Sequence, residues 1–285
     1  MTVGRHRPRR RFAQHFLAPA WARRVVEAIG REPGDVFLEI GAGHGAITLP
    51  LALTGAPILA VEVDRDLVAD LASKMPSNVT LVAGDALTVD LIPYLTGLEP
   101  QRPAGSMRTE GLTRRFRIIG NLPYNLTTPI LFRLIEWHRR QAMFTDATLM
   151  VQREVADRLT ARPDTRDWGV LGISAQIHAA ITKVLDLPPG AFSPPPKVRS
   201  ALIRLTFGPP TVRIVDEALF DDLLRALFSQ RRKTLTNALK RFDPRAPAAL
   251  DDLGINGRRR AETLQLTEIA GLVAAVAARR RGLVL

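Results

Sequence analysis

Val36-Phe37-Leu38-Glu39-Ile40, running into Gly41-Ala42-Gly43-His44-Gly45, decides the fold. An apolar run that stops at a glycine-dense turn reads as a buried strand with a sharp exit. Ala46–Thr54 then carries a helical pattern, and Ile58-Leu59-Ala60-Val61 is a second buried run, closed by Glu62. A helix is expected from Arg65 to Met75, and a third strand at Val79-Thr80-Leu81-Val82, ending at Gly84-Asp85. Strands that alternate with helices need crossover connections, so the predicted class is α/β, a doubly wound Rossmann-like sheet.

Gly41-x-Gly43-x-Gly45 is not the full dinucleotide fingerprint, because its third glycine comes one residue early. Glu62 ends the next strand about 20 residues on, where an acidic side chain conventionally takes ribose hydroxyls. Asp85 ends the third strand at the same edge, placed to accept from an adenine amino group. Together the turn and the two acids point to an adenosyl cofactor. The acids could instead cap helices, with Asp64 and Asp66 the better caps. No Lys-Ser/Thr follows the turn, which argues against a P-loop and nucleotide hydrolysis.

Further along, Arg117-Ile118-Ile119-Gly120 reads as another buried strand, and Asn121-Leu122-Pro123-Tyr124 follows it. Ligands of open α/β sheets bind at the carboxyl ends of the strands. The set suits methylation of an exocyclic base amine. Such a nitrogen is a poor nucleophile while its lone pair is delocalised into the ring. If the Asn121 side-chain oxygen and the Leu122 carbonyl accept its N–H groups, it can pyramidalise and recover that pair. Pro123 biases Leu122 toward an extended backbone and so fixes the carbonyl. Tyr124 offers a face for the base, worth about 1–3 kcal/mol in single-strand binders. The same four residues could equally be a strand-to-helix turn around a buried tyrosine.

Helices are expected at Thr127–His138, Gln152–Ala161 and Trp168–Ala180, and strands at Ala147–Val151, Thr182–Asp186 and Ser200–Phe207. Between the last two, Phe192-Ser193-Pro194-Pro195-Pro196-Lys197-Val198 forms a stiff extended strut that cannot join a central strand. Phe192 could clamp the base across from Tyr124, or it could be a core residue. Gly97–Arg115 reads as a long loop. Gly208-Pro209-Pro210 is the expected domain boundary; past it only helices follow, at Glu217–Gln230, Thr234–Arg241 and Leu266–Ala278. The expected organisation is a basic arm over residues 1–11, a domain over 12–207 and a small helical domain over 211–285.

Of the 285 residues 46% are hydrophobic, an ordinary fraction, but the formal charge of +12 and pI near 11.2 are not ordinary. They call for a polyanionic partner. Arg231-Arg232-Lys233, Lys240-Arg241, Arg258-Arg259-Arg260 and Arg279-Arg280-Arg281 suggest a surface that follows a folded phosphate backbone, although any single cluster could be a solvated face. The absence of cysteine excludes disulfides and thiolate chemistry. The histidines share no metal-ligand spacing, so no metal is expected. No apolar run is long enough to cross a bilayer. The Arg-rich start leads straight into the motif at Phe12, so no removable presequence, and a cytoplasmic protein, are expected.

These motifs resemble the ribosomal RNA adenine N6-dimethyltransferases over nearly the whole chain. The likeness rests on Gln14-His15-Phe16-Leu17, Glu39-Ile40-Gly41-Ala42-Gly43, Val61-Glu62-Val63-Asp64, Gly84-Asp85-Ala86, Asn121-Leu122-Pro123-Tyr124-Asn125 and Phe192–Val198. Gln230-Arg231-Arg232-Lys233-Thr234-Leu235 looks like the small-subunit branch. The resemblance implies S-adenosylmethionine as methyl donor. It implies as substrate two adjacent adenosines in the 3′-terminal hairpin loop of 16S rRNA, each dimethylated in the immature small subunit by a monomer. His15 and Leu17 would flank the donor, Gly41 and Gly43 would pass under it, Glu62 would hold its ribose and Asp85 its adenine. Asn121 would bridge donor and target amine. Leu122, where related DNA enzymes carry a second proline, would leave room for a monomethylated amine. The family usually has asparagine where this chain has His15, and the Gly97–Arg115 loop is longer than its norm. The alternatives are the large-subunit dimethyltransferase of the macrolide-resistance type and a mainly non-catalytic assembly factor.

Overall fold

The computed structural model describes residues 15–98 and 115–282. The basic arm and nearly all of the Gly97–Arg115 loop therefore lie outside the described residues. The chain divides into two compact units, residues 1–156 with 180–208, and residues 157–179 with 209–285.

In chain order the described elements open with β1 (Phe16–Leu17) and α1 (Pro19–Ile29). Proline suits the first turn of α1, and Gly30 ends it in the left-handed conformation at φ 61°. There follow β2 (Asp35–Ile40), α2 (Thr48–Ala52), β3 (Ile58–Glu62), α3 (Arg65–Ala72), β4 (Val79–Ala83), α4 (Ile92–Gly97), β5 (Arg115–Asn121), α5 (Thr127–Gln141), β6 (Phe144–Gln152), α6 (Arg153–Leu159), α7 (Val170–His178), β7 (Ala179–Leu187), β8 (Phe192–Ser193) and β9 (Ser200–Phe207). The main sheet has the order β4-β3-β2-β5-β6-β9-β7, and β6 and β9 pair antiparallel. Every residue of β2 is buried, as a central parallel strand requires.

The chain winds outward from β2 through β3 to β4 and then returns to lay β5 on the other side of β2. This reversal opens a crevice at the carboxyl ends of β2 and β5. Ile40 pairs with both Val61 and Gly120, so Gly41 and Asn121 follow side by side. Close approach demands a glycine there. A Cβ on Gly120 would sit 2.6 Å from the Ile40 carbonyl oxygen.

At the opposite end of these strands Arg117 is the tie. Its guanidinium donates to Asp35 and to Asp146, each at 2.8 Å, and to the carbonyls of Gly30 and Ile29 at 2.7 and 2.8 Å. One buried cation thus joins β2, β5 and β6 to the carbonyl end of α1, where the helix dipole favours positive charge.

The second unit gathers α7, α8 (Glu217–Ser229), α9 (Leu235–Phe242), α10 (Ala248–Asp252) and α11 (Leu266–Arg280). This divides the chain differently from the single cut expected at Gly208-Pro209-Pro210. Asp157–Ala179, expected inside the first domain, belongs to the helical unit. The reason is burial: Trp168, Ile173 and Ile177 pack with Leu223, Leu227 and Leu272 in one core, and the Trp168 indole donates to the Leu264 carbonyl at 3.1 Å.

The basic clusters are partly internal. Arg231 donates to the carbonyls of Arg166 and Trp168, Arg259 pairs with Glu268, and Arg279 pairs with Asp252. Arg232, Lys233, Lys240 and Arg258 remain exposed. No described helix is long and apolar enough to cross a membrane.

Candidate active site

A single cavity at the β2/β5 crevice is lined by His15, Leu17, Gly41, Gly43, Glu62, Asp85, Asn121, Leu122, Pro123 and Tyr124. Every residue picked from sequence borders it except Phe192. That side chain is 4% exposed and packs in the core of the first unit, and Phe192 pairs with Leu17 where β8 meets β1. The expectation that Phe192 clamps a base across from Tyr124 is therefore corrected: an aromatic ring beside a proline strut is here a core residue.

The glycine turn is built in an unusual way for a nucleotide site. Gly41 and Gly43 are left-handed at φ 76° and 58°, a conformation few L-residues adopt. Their N–H groups do not point at a ligand. Gly41 and Ala42 donate to the Val61 carbonyl at 2.9 and 3.2 Å, and Gly43 donates to the Glu62 carboxylate at 2.8 Å. Glu62, only 6% exposed, also accepts from Val63 and Asp64 at 2.9 Å each. A phosphate would find these donors spent and a carboxylate beside them. A neutral sugar would find a rigid acceptor with lone pairs to spare. The site thus suits an adenosyl group without phosphates.

Asp64 caps α3 by accepting from Asp66 at 3.1 Å, so Glu62 is free of that duty. Asp85 is exposed at the cavity edge; one of its oxygens accepts from the Leu87 N–H at 2.9 Å.

At the other wall, the Asn121 amide nitrogen donates to the His15 carbonyl at 2.7 Å. That bond fixes the amide's orientation and leaves Oδ1 as the acceptor. The Leu122 N–H is taken by the Met150 carbonyl at 3.2 Å, while its own carbonyl meets no donor among the described residues. Two acceptors therefore stand together at the end of β5. The Tyr124 hydroxyl lies 2.6 Å from the buried Ser200 hydroxyl, and burial raises its pKa, so the phenol keeps its proton. The His15 ring stacks on the Tyr124 ring with centroids 5.3 Å apart. Among the described residues no cluster of His, Cys, Asp or Glu could hold a metal ion.

Glu39 was missed in the sequence as a site residue. It lines the cavity, is 1% exposed, and its Oε2 has no hydrogen-bond partner among the described residues. Burial, reinforced by the neighbouring Glu62 and opposed by Thr48, pushes its pKa up to about 8. An acidic residue inside an otherwise apolar strand was the available signal, since carboxylates are seldom fully buried unpaired. The folded pKa lies above the ordinary value of 4.5, so the native state holds this proton where the unfolded chain has lost it. Stability must fall as pH rises through that window. Between pH 5 and 8 the loss from this group is on the order of a few kcal/mol. Glu39→Gln is expected to remove that part of the pH dependence, leaving a variant more stable than the parent at pH 8, as read by urea unfolding at both pH values.

Residues 5–277 match the family described as Ribosomal RNA adenine dimethylase. The ribosomal RNA small subunit methyltransferase A of Xylella fastidiosa is 40% identical over 265 residues, covering 92% of this chain and 93% of that one. Its counterpart of the same description from Thiobacillus denitrificans is 40% identical over 277 residues, 96% of this chain and all of that one. A crystal structure of a dimethyladenosine transferase from Plasmodium falciparum superposes with a TM-score of 0.71 at 23% identity, covering 94% of this chain and 99% of that one. The last likeness shows a common fold, and the first three findings go further: this chain belongs to the ribosomal RNA adenine dimethylase family.

Proposed function

We propose that this protein dimethylates the N6 amine of two adjacent adenosines in the 3′-terminal hairpin loop of 16S rRNA, acting as a cytoplasmic monomer on the immature small subunit. The observation that carries the reading is the pinned Asn121 amide, whose oxygen is left as an acceptor beside the Leu122 carbonyl. The small-subunit target is supported by the names of relatives that match more than nine-tenths of the chain, 92% and 96% of it.

The methyl donor is S-adenosylmethionine. The ribose would rest on Glu62, the adenine on Asp85, and the amino-acid part against Leu17, Gly41 and Gly43. Bound there, the donor supplies a methyl group carried on a sulfonium. Asn121 Oδ1 and the Leu122 carbonyl accept the two N–H bonds of the target amine and turn its lone pair toward the cavity. Tyr124, held by Ser200, supports the base. Charge disperses as the methyl moves, so alignment and exclusion of water matter more than a strong base. The phenol of Tyr124, protonated, is not that base. The methylated nitrogen is acidic enough to shed its proton to water. The target adenosines must be unstacked to reach the cavity. The exposed Arg232, Lys233, Lys240 and Arg258 of the helical unit would meet phosphates.

The test is to incubate the protein with labelled donor and undermethylated small subunits and locate the label. Dimethyladenosine in the 3′-terminal hairpin is expected. Label confined to large-subunit rRNA, or no transfer, would refute the reading.

A further inference from the structure

We propose that the Gln152 side chain donates a hydrogen bond to a ring nitrogen of the target adenine and so holds the base through the second methyl transfer as well as the first. The proposal rests on the reading that Asn121 and Leu122 hold the amine. Among the described residues the cavity is lined from the ends of β2, β3 and β4 and closes at residues 121–124 after β5; none of its lining comes from β6 or β9. A donor seated there has the amine between itself and the rest of the base. In an in-line transfer the purine therefore extends past β5, over the end of β6. Gln152 is the last residue of β6.

The register gives the direction of its side chain. Asn121 pairs with Met150, and Gln152 pairs with Ser200. Paired residues present their side chains on one face of a sheet, as do residues two apart. Asn121, Met150, Gln152 and Ser200 therefore share a face. Burial identifies it: Met150 and its partner Leu202 pack in one core with Val25 of α1. On that face the Asn121 amide reaches the His15 carbonyl, the His15 ring stacks on Tyr124, and the Tyr124 hydroxyl reaches Ser200. Gln152 stands beside Ser200 at a cross-strand Cβ spacing of about 5 Å, and about 7 Å beyond the level of Asn121. It is half-buried, and its amide has no hydrogen-bond partner among the described residues. The ring nitrogens beside the amine of adenine, N1 and N7, are acceptors, and so are the two groups that hold the amine. What this end of the site needs is a donor, which a glutamine amide supplies, as it does for the same base edge in nucleic-acid grooves. The bond gains weight at the second step. A monomethylated amine offers one N–H in place of two, so Asn121 or Leu122 goes without, whereas the ring nitrogens are unchanged.

The experiment compares the full-length parent with Gln152→Ala and Gln152→Glu. The second variant keeps the length of the side chain but, as a carboxylate, has no donor. Time courses on undermethylated small subunits, resolved into monomethyladenosine and dimethyladenosine, give the rates of the two transfers. Calorimetry with S-adenosylhomocysteine gives donor-site affinity, and thermal melting confirms folding. In both variants the second transfer is expected to slow about tenfold and the first about threefold, so that monomethyladenosine accumulates, with S-adenosylhomocysteine affinity within about twofold of the parent. An unchanged ratio of the two products in either folded variant would overturn the proposal. So would a tenfold loss of S-adenosylhomocysteine affinity, which would assign the side chain to the donor. Failure of the parent itself to methylate the subunit would overturn the functional reading, and this proposal with it.

Discussion

Asn121→Ala is expected to lower methyl transfer by about 10²–10³-fold in kcat, with the protein still folded. The size follows from removing a preorganised acceptor whose hydrogen bond strengthens as the amine pyramidalises. Such interactions act on the transition state more than on the bound substrate, so kcat should fall with little change in KM. Structurally the variant loses one hydrogen bond, that to the His15 carbonyl, a cost of about 1 kcal/mol. Single-turnover transfer to undermethylated subunits measures the effect. Turnover within about tenfold of the parent would mean that the amide does not hold the amine.

The second large effect is on stability and lies at the far end of the sheet. Arg117→Met takes the close cation from the buried Asp35 and Asp146, leaving Asp35 the more distant Arg115 Nε at 3.6 Å, and strips donors from the carbonyls ending α1. Breaking a buried pair from one side costs about 3–5 kcal/mol. Burial already raises the pKa of both carboxyls in the intact protein, against the pull of Arg117. Without the guanidinium both rise further. A raised folded-state pKa means that the native state retains protons the unfolded chain has released, so stability is lost as pH increases through that range. The destabilisation of Arg117→Met should therefore be larger at pH 8 than at pH 5 in urea unfolding. Replacing both aspartates together with Arg117 by apolar residues should recover much of the loss.

How much of this could be read from sequence depended on how local the signal was. Ser200–Phe207 appears with the bounds its pattern gave, because strict alternation marks it within its own span. Glu62, Asp85 and Asn121 were legible because a parallel sheet places all strand ends of one hand at one edge, whatever the details of packing. Phe192 was ambiguous, since an aromatic residue beside prolines looks the same as a platform or as core. Its pairing with Leu17 joins residues 175 apart, a contact with no local signature. The excursion of Asp157–Ala179 was invisible for a related reason. Apolar on most sides, α7 would look the same buried in either unit. Charge was the least legible property. Arg259 and Arg279 belong to clusters that read as surface, but their acids, Glu268 and Asp252, come from elsewhere in the chain. The short α4 and α10 carry too few turns to show a period.

A crystal structure with S-adenosylhomocysteine bound tests the central arrangement most directly. The account predicts the ribose hydroxyls on the Glu62 carboxylate and the sulfur facing the opening between Asn121 Oδ1 and the Leu122 carbonyl. A ligand seated with its sulfur turned away from residues 121 and 122 would contradict it.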